Sequence, residues 1–297
     1  MSGAQRLVGV IGMGIMGGAI ARNLVAAGES VCGFDPDAER AAEARGCGVE
    51  VLPSAGDVAA KASIVLTSLP SVAALDSTAA EIAALPAVDR AGLIVAELST
   101  LPIATKAENR ERLAAAGVVL LDCPLSGTGA QAAVRDLVIY ASGDEQACRA
   151  CESVFFGFGR ACPYLGEFGN GTKMKFVANL LVAIHNVATA EAMRLGIESG
   201  LDAQVLRDVA GSGAGGSRVF DLRSPLMVDK TYEPATMKLE IWQKDMQLIG
   251  EFAAQVGVTT PLFSASAPIY ELAVQQGRGS QDTAAVYEVL QTLDRGE

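Results

Sequence analysis

The sequence predicts an α/β fold in two parts: a doubly wound parallel sheet, then an all-α domain, with one long helix joining them. Short apolar runs alternate with helical segments up to about residue 164, which is typical of right-handed crossovers and a parallel sheet. Residues 169–200 contain no proline and have a helical composition. Every later segment is helical in pattern, so we place the domains at residues 1–165 and 166–297.

Composition narrows the class of protein. The chain has 297 residues, half of them hydrophobic, which is enough for two cores. A net charge of −11 without a basic run argues against nucleic acid or an anionic membrane surface as partner. We see no uninterrupted apolar stretch of the roughly twenty residues that a membrane span needs, and no signal-peptide pattern, so we expect a cytoplasmic protein.

The cysteines and the histidine offer little for metal chemistry. Six cysteines are scattered along the chain, and His185 is the single histidine. Cys148 and Cys151 form a CxxC, but within a helical pattern and without a second pair. We expect small, buried or half-buried thiols and no metal site.

The first apolar run, Leu7 to Ile11, leads into a glycine-rich turn and a helix. The turn reads Gly12-Met13-Gly14-Ile15-Met16-Gly17. After a strand, the first glycine of GxGxxG permits a tight turn, the second lets a pyrophosphate approach, and the third lets helix and strand pack closely. Amides at the helix start attract the phosphates. We therefore predict a Rossmann domain whose cofactor lies on this loop.

The second strand, Ser30 to Phe34, ends at Asp35. A carboxylate at this spacing can accept a hydrogen bond from the ribose 2′-hydroxyl. Pro36 follows where an arginine would accept a 2′-phosphate, which favours NAD over NADP. The alternative is that Asp35 is only a turn residue before the next helix.

The remaining elements complete this pattern. We predict strands at 49–51, 64–69, 93–96, 118–121, 137–141 and 162–164, all in one sheet, and later helices near 202–210, 219–226, 237–256, 260–276 and 284–292. Ligands of such sheets bind beyond the carboxyl ends of the strands. Pro70, Thr100 and Ser126 fall at such ends.

The long helix carries polar residues on an apolar background. Between residues 176 and 190 it has no charge and is apolar on nearly every face, so we expect it to be buried all round. Lys175 and Asn179 are four apart and share a face; the alternative is that the ammonium only reaches out to solvent. Lys173 points elsewhere and should be solvated, and His185 fits a core histidine bonded to a carbonyl.

Four segments together resemble one family, in order and in spacing. They are GMGIMGGAIARNL, CPLSGTGAQA, GNGTKMKFVAN and WQKDMQL, and they span nearly the whole chain. In these segments the sequence resembles the β-hydroxyacid dehydrogenases, the 3-hydroxyisobutyrate dehydrogenase-like enzymes, with 6-phosphogluconate dehydrogenase as a more distant relative.

The resemblance implies roles for particular residues. Lys175 would be the catalytic acid/base, and Asn179 would hold the substrate beside it. Ser126 and Gly127, with Thr128 in place of a usual glycine, would bind the substrate carboxylate. Further cofactor contacts would be made by Leu69, Pro70, Thr100 and Lys244. Ala178 stands where the phosphogluconate enzymes have histidine, which argues against that substrate.

The expected reaction moves a hydride between NAD and the hydroxyl carbon of a small 3-hydroxy acid. A lysine with an ordinary pKa of about 10.4 is a poor base, but burial and nearby positive charge would lower the pKa of Lys175. Two alternatives stay open: an imine reductase on the same fold, where another residue usually replaces the lysine, and a non-catalytic dinucleotide-binding protein. The apolar long helix predicts a homodimer or homotetramer.

Overall fold

A computed structural model describes residues 7–293. They form two compact units that divide between Lys175 and Phe176. This division lies inside the long helix, later along the chain than the domain boundary predicted at residue 165. Each unit is described separately below.

The first unit is built on a parallel sheet of six strands. Strands and helices alternate as β1 Leu7–Ile11, α1 Ile15–Ala26, β2 Ser30–Phe34, α2 Ala38–Gly46, β3 Glu50–Val51, α3 Ala55–Lys61, β4 Ile64–Thr67, α4 Val72–Ala84, β5 Ile94–Glu97, α5 Ile103–Ala115 and β6 Val119–Asp122. The strand order is β3-β2-β1-β4-β5-β6, and all pairs are parallel. The doubly wound sheet predicted from the sequence is therefore confirmed, with its switch point between β1 and β4.

Helices cover both faces of this sheet because the strands are apolar on both sides. Val8 and Leu66 face a buried cluster that includes residues of α1 and α2. Ile11 and Val65 face a second cluster with residues of α3, α4 and α5. Parallel strands buried on both faces read as continuous apolar runs, which is how they were recognised in the sequence.

A second, smaller sheet corrects one prediction. It contains β7 Leu125–Ser126, β8 Leu137–Ile139 and β9 Gly159–Ala161, with α6 Gly129–Ala133 and α7 Glu145–Phe158 between them. β7 and β8 are antiparallel, and β8 and β9 are parallel. The prediction that 137–141 and 162–164 complete the main sheet is wrong. Pro124, which has no amide for a ladder, follows β6, and the chain then turns into β7 instead of extending the parallel sheet.

The second unit is helical, as predicted. Most of α8 Asn170–Glu198 belongs to it, followed by α9 Ala203–Ser212, α10 Arg218–Asp229, α11 Leu239–Gln255, α12 Pro261–Gln275, a 3₁₀ turn Thr283–Ala285 and α13 Val286–Leu293. Its core includes Trp242 and Tyr270, whose ring centroids lie 6.2 Å apart. A buried ion pair joins Arg223 to Asp282 at 2.8 Å.

The long helix α8 exists as predicted, but it is not buried all round. Val177 is 53% exposed, Leu181 47% and Leu195 75% in the single chain. These positions recur at helical spacing and form one apolar stripe along the helix. One apolar face of α8 is therefore covered by the rest of this chain, and another apolar face is exposed.

By length and composition alone, α8 is also apolar enough to cross a membrane, with a mean hydropathy of 1.3 over its most apolar window. The sequence shows no uninterrupted apolar run of this length, because Asn179, His185 and Asn186 break it, yet α8 still reaches this hydropathy. Within that window 44% of the residues are buried inside the protein. Asn186, 1% exposed, donates to the Tyr270 hydroxyl and the Thr283 carbonyl, a pattern found in helices that pack in a protein core.

Candidate active site

The glycine loop between β1 and α1 has the geometry predicted for a dinucleotide site. Gly12 has φ +84°, and a Cβ there would collide with the Ser68 carbonyl oxygen. A Cβ on Gly17 would collide with the Gly12 carbonyl oxygen. By contrast, nothing lies within 4 Å of the place a Cβ on Gly14 would occupy. Gly12 and Gly17 are therefore required by the packing of the protein itself, whereas Gly14, the second glycine of the motif, borders open space.

That open space lies at the start of a helix. Gly14 is the N-cap of α1, makes no side-chain cap, and the first turn of α1 contains no acidic residue. Ile15, the first residue of the helix, is 54% exposed. A helix start of this kind attracts phosphate through its amides and dipole. The loop therefore fits the pyrophosphate of a dinucleotide, at the switch point of the sheet.

Asp35 lies against the same loop. Its Oδ2 accepts a hydrogen bond from the Met13 amide at 2.6 Å, and its Oδ1 accepts one from the Asp37 amide at 2.9 Å. The two sequence interpretations are thus compatible, since Asp35 shapes the turn and also borders the glycine loop. Because a carboxylate has about four lone-pair sites, capacity is left for a ribose hydroxyl.

Further candidates for cofactor contact lie at neighbouring carboxyl ends in the first unit. Leu69 and Pro70 follow β4, and Thr100 follows β5. Leu69 is 8% exposed, and its amide donates to Ser99 Oγ at 2.7 Å. The structure therefore holds the two chain segments together, next to the strand that leads into the glycine loop.

The turn predicted to bind a carboxylate follows β7. Gly127 has φ +133°, and a Cβ there would lie 2.6 Å from Leu137 Cδ2, so any other residue at this position would be strained. The Thr128 amide donates to Gln131 Oε1 at 3.1 Å in the capping box of α6. One of the amides predicted for the substrate is thus engaged by Gln131, a side chain that the T-x-x-Q spacing could have indicated.

Lys175 lies in the second turn of α8 and is 7% exposed. An ammonium that merely reaches bulk solvent does not match this burial. Lys173, two residues earlier, is exposed as predicted and donates to Asn170 Oδ1 at 3.0 Å. Only one of the two lysines at the start of the helix is therefore withdrawn from water.

A buried polar cluster that was not predicted lies at the start of α8. Lys106, Asp122 and Thr172 are each 0% exposed. The Thr172 amide and hydroxyl donate to the two carboxylate oxygens of Asp122 at 2.8 and 2.7 Å, and Lys106 Nζ lies 2.8 Å from Asp122. A lysine within the polar helix α5 would ordinarily face water; the available signal was its seven-residue spacing from the buried Leu113.

Asn179 lies one turn after Lys175 on α8. It belongs to the second unit and contacts another residue of that unit. Its Nδ2 donates to Asp245 Oδ2 at 2.9 Å, and the two residues are 5% and 6% exposed. Lys244, next in the chain to Asp245, has a side chain that is 40% exposed and an Nζ 3.8 Å from Asp245 Oδ1. Asp245 was not predicted as a site residue, although it directly follows Lys244 in the segment WQKDMQL. The cofactor role of Lys244 stays a prediction.

The six cysteines are buried or half-buried, as predicted, whereas the bond from the His185 ring to a carbonyl stays a prediction. All six cysteines are free thiols, and burial raises the pKa of Cys148 and of Cys162 to about 12. His185 is half-buried, and its backbone carbonyl accepts a hydrogen bond from Thr189 Oγ1. Among residues 7–293, no group of three or more His, Cys, Asp or Glu side chains could hold a metal ion.

Comparison with known proteins covers both units. Residues 7–166 match the family model described as the NAD-binding domain of 6-phosphogluconate dehydrogenase. Residues 169–290 match a second family model, described as NAD-binding of NADP-dependent 3-hydroxyisobutyrate dehydrogenase.

Individual relatives match along nearly their full length. L-threonate dehydrogenase of Cupriavidus necator is 30% identical over 294 residues, covering 98% of each chain. NAD-dependent L-serine dehydrogenase of Pseudomonas aeruginosa is 29% identical, with 96% of this chain and 98% of the relative covered. The structure of Mycobacterium tuberculosis 3-hydroxyisobutyrate dehydrogenase with L-serine superposes with a TM-score of 0.86 at 28% identity, covering 97% of this chain and 99% of that one.

Proposed function

Since the chain belongs to the β-hydroxyacid dehydrogenase family, we propose that it transfers a hydride between NAD and the hydroxyl carbon of a small 3-hydroxy acid, with Lys175 as the acid/base. The general activity, an NAD(P)-dependent dehydrogenase acting on hydroxyl groups, follows from the family. The finer proposal is carried by one observation, the burial of Lys175 to 7% exposure on the helix that leaves the nucleotide-binding unit.

The proposed mechanism needs a proton acceptor near the substrate hydroxyl. A bound nicotinamide supplies the hydride acceptor in this chemistry. Lys175 Nζ, in its neutral form, takes the hydroxyl proton during oxidation and returns it during reduction. A base must be uncharged before it accepts the proton, and burial in general disfavours the charged form of an amine.

Asn179 would fix the position of the substrate hydroxyl. Lys175 and Asn179 are one helical turn apart, so their side chains project from the same face of α8. Asp245 holds the Asn179 amide by the hydrogen bond at 2.9 Å. An amide held in this way loses little further freedom when it orients the substrate, which favours the reactive geometry.

The substrate class follows from the turn after β7. Ser126 Oγ and the Gly127 amide are the proposed donors to a carboxylate, and the backbone conformation of Gly127 disfavours a side chain there. L-threonate, L-serine and 3-hydroxyisobutyrate, the substrates in the names of the relatives, all combine a carboxylate with a hydroxyl at carbon 3. A small 3-hydroxy carboxylic acid is therefore the proposed substrate.

The proposed cofactor is NAD. Asp35 lies beside the glycine loop, and Asp37, two residues on, caps α2 through its carboxylate. A 2′-phosphate next to these two carboxylates would be repelled. Pro36 between them has no side chain that could neutralise the phosphate.

Two other candidate functions are disfavoured. An imine reductase usually has another residue in place of the lysine, whereas this chain has Lys175 together with Asn179. A non-catalytic nucleotide-binding protein would need neither residue, so the presence of both argues against it. The cytoplasmic location and the homodimer or homotetramer remain proposals. The exposed apolar stripe of α8 supports the oligomer.

The test is a substrate screen on the purified protein. Small 3-hydroxy acids, with and without amino or aryl substituents, are offered with NAD, and reduced nicotinamide is followed by absorbance. A cyclic imine with reduced cofactor is the parallel arm. Turnover of a 3-hydroxy acid supports the proposal, whereas turnover of the imine alone, or of neither, contradicts it.

A further inference from the structure

One buried ammonium group lies where two sets of polar contacts of the first unit meet. Lys106 of α5 is 0% exposed. Its Nζ donates to Asp122 Oδ1 at 2.8 Å, to the Ser99 carbonyl at 2.7 Å and to Thr172 Oγ1 at 3.1 Å. The same Nζ lies 2.6 Å from Glu97 Oε2 in an ion pair. It therefore touches the ends of β5 and β6 and the start of α8 at once.

The first set of contacts clamps the start of α8. The first amides of a helix lack partners within the helix, and here side chains of the sheet supply them. The Thr172 amide donates to Asp122 Oδ2 at 2.8 Å, and the Gly171 amide donates to Ser142 Oγ at 2.9 Å. Asp122 is also a negative charge at the positive end of the helix dipole.

The helix start is also pressed against the sheet. A Cβ on Gly171 would lie 2.7 Å from the Asp122 carbonyl oxygen, so no side chain fits between helix and strand. Thr172 Oγ1, which accepts from Lys106, donates to Asp122 Oδ1 at 2.7 Å. Lys175 follows three residues later, and its backbone is therefore fixed relative to the end of β6.

The second set of contacts leads toward the segments proposed to contact the cofactor. The Ser99 amide donates to Glu97 Oε1 at 2.9 Å, and the Leu69 amide donates to Ser99 Oγ at 2.7 Å. Lys106 holds both Glu97 and the Ser99 carbonyl. The ammonium thus supports the turn after β5 directly and the turn after β4 through Ser99.

We propose that Lys106, Asp122 and Thr172 form a positioning network that holds the first turns of α8, and with them Lys175, in fixed register with the cofactor-side turns at Leu69 and Ser99. The catalytic consequence rests on the proposed function; the structural clamp does not. Lys106 and Thr172 are positioning residues, since they act on the reaction through Lys175 and not through the substrate.

The charge state of Lys106 is consistent with a permanent clamp. Burial lowers the pKa of Lys106, but Asp122 and Glu97 raise it by more, so the net pKa lies above its ordinary value. The ammonium therefore keeps its charge across the working pH range. An uncharged side chain at this position would leave two fully buried carboxylates without a cation, which is strongly unfavourable.

The mildest test removes one hydroxyl. Thr172→Val keeps the shape of the side chain but deletes the hydrogen bonds of its hydroxyl to Lys106 and to Asp122, and Thr172→Ser restores the hydroxyl. We expect kcat of Thr172→Val to fall about 10- to 100-fold, since a misplaced catalytic group costs rate steeply. KM and the Kd of NAD should stay within about threefold, and Thr172→Ser should recover kcat to within about threefold of wild type.

Hydrogen exchange gives a readout that does not depend on turnover. In Thr172→Val, amides in residues 170–178 should exchange faster than in the wild type, while those of α1 should not change. Lys106→Met should extend the effect to residues 67–70, because it also releases Ser99. Lys61→Met, which removes a lysine from an exposed ion pair with Glu50, is the matched control and should alter neither region.

Each outcome decides the proposal. Unchanged kcat in Thr172→Val, or a loss of kcat that Thr172→Ser shares, overturns the positioning role. Unchanged exchange in residues 170–178 overturns the clamp. If the wild type oxidises no hydroxy acid, the proposed function fails by itself, and the exchange experiment still decides whether the network holds the helix.

Discussion

Asn179 Nδ2 donates a hydrogen bond to Asp245 Oδ2 at 2.9 Å, between two side chains that are almost fully buried. An ionised carboxylate can only accept hydrogen bonds, so the amide nitrogen of Asn179 is the atom that faces Asp245. The amide oxygen of Asn179 is thereby placed on the opposite side. In the proposed function, this oxygen is the acceptor that Asn179 would offer to the substrate hydroxyl.

This relationship predicts the effect of Asp245→Asn. The new amide allows Asn179 to adopt either orientation, so we expect kcat/KM for the hydroxy acid to fall about 10- to 100-fold while the Kd of NAD changes little. Steady-state kinetics and cofactor titration measure both. Asp208→Asn, at an exposed carboxylate of α9, is the control, and an equal loss in both variants would count against the role of Asp245.

The glycine loop predicts a separation of stability from cofactor binding. Gly14→Ala should change the unfolding free energy of the protein without cofactor by no more than about 1 kcal/mol, because its Cβ meets nothing. The same variant should bind NAD at least about tenfold more weakly, since the methyl group enters the space assigned to the pyrophosphate. Gly17→Ala should lower stability itself. Unchanged NAD affinity in Gly14→Ala would remove the pyrophosphate from this position.

The cofactor preference can be shifted at two adjacent positions. Asp35→Ala combined with Pro36→Arg removes a carboxylate and adds a cation beside the ribose, so kcat/KM should move from NAD toward NADP. The ratio of kcat/KM for the two cofactors measures this shift. A ratio equal to that of the wild type would place Asp35 outside the ribose site and leave it the turn residue of the alternative interpretation.

Thiol reactivity should be low in the folded protein. Burial raises the pKa of Cys32 to about 11 and that of Cys148 and Cys162 to about 12. Thiolate is the reactive form, so these thiols should react slowly at pH 8 and faster only as the pH approaches those values. The free energy of unfolding should fall as the pH rises from the ordinary thiol pKa of about 8.5 toward these raised values, because the thiols ionise at lower pH in the unfolded chain than in the folded one.

A thiol titration at pH 8 measures this directly. Native protein should show at most one fast thiol, at the half-buried Cys47, and denatured protein should show all six. Rapid reaction of the Cys148 and Cys151 pair in native protein would contradict their assignment as buried, unreactive thiols.

The sequence was most informative where local pattern and chemistry coincide. Gly12, Gly14 and Gly17 could be assigned three different roles from spacing alone, and the structure gives each of them the expected surroundings. Lys175 could be predicted as buried because its neighbours on the helix are apolar. The parallel, doubly wound arrangement of the main sheet followed from the alternation of strands and helices.

What could not be predicted depends on contacts between residues far apart in the chain. Thr172 meets Asp122 across fifty positions and Lys106 across sixty-six. The spacing of Lys106 from the buried Leu113 indicates only the face of α5 on which the lysine lies, not the residues that it contacts. The separate sheet of β7, β8 and β9 was missed because apolar runs do not reveal strand direction. The exposed stripe of α8 was missed because composition does not show which apolar faces are covered.

The most direct test of the account is the turnover of Lys175→Ala with the best hydroxy acid and saturating NAD. Lys173→Ala, at the exposed lysine two residues earlier, is the matched control. We predict that kcat of Lys175→Ala falls by about three orders of magnitude or more while the Kd of NAD stays within about threefold, and that Lys173→Ala keeps its turnover. A Lys175→Ala enzyme that retains wild-type kcat would contradict the assignment of this amine as the acid/base.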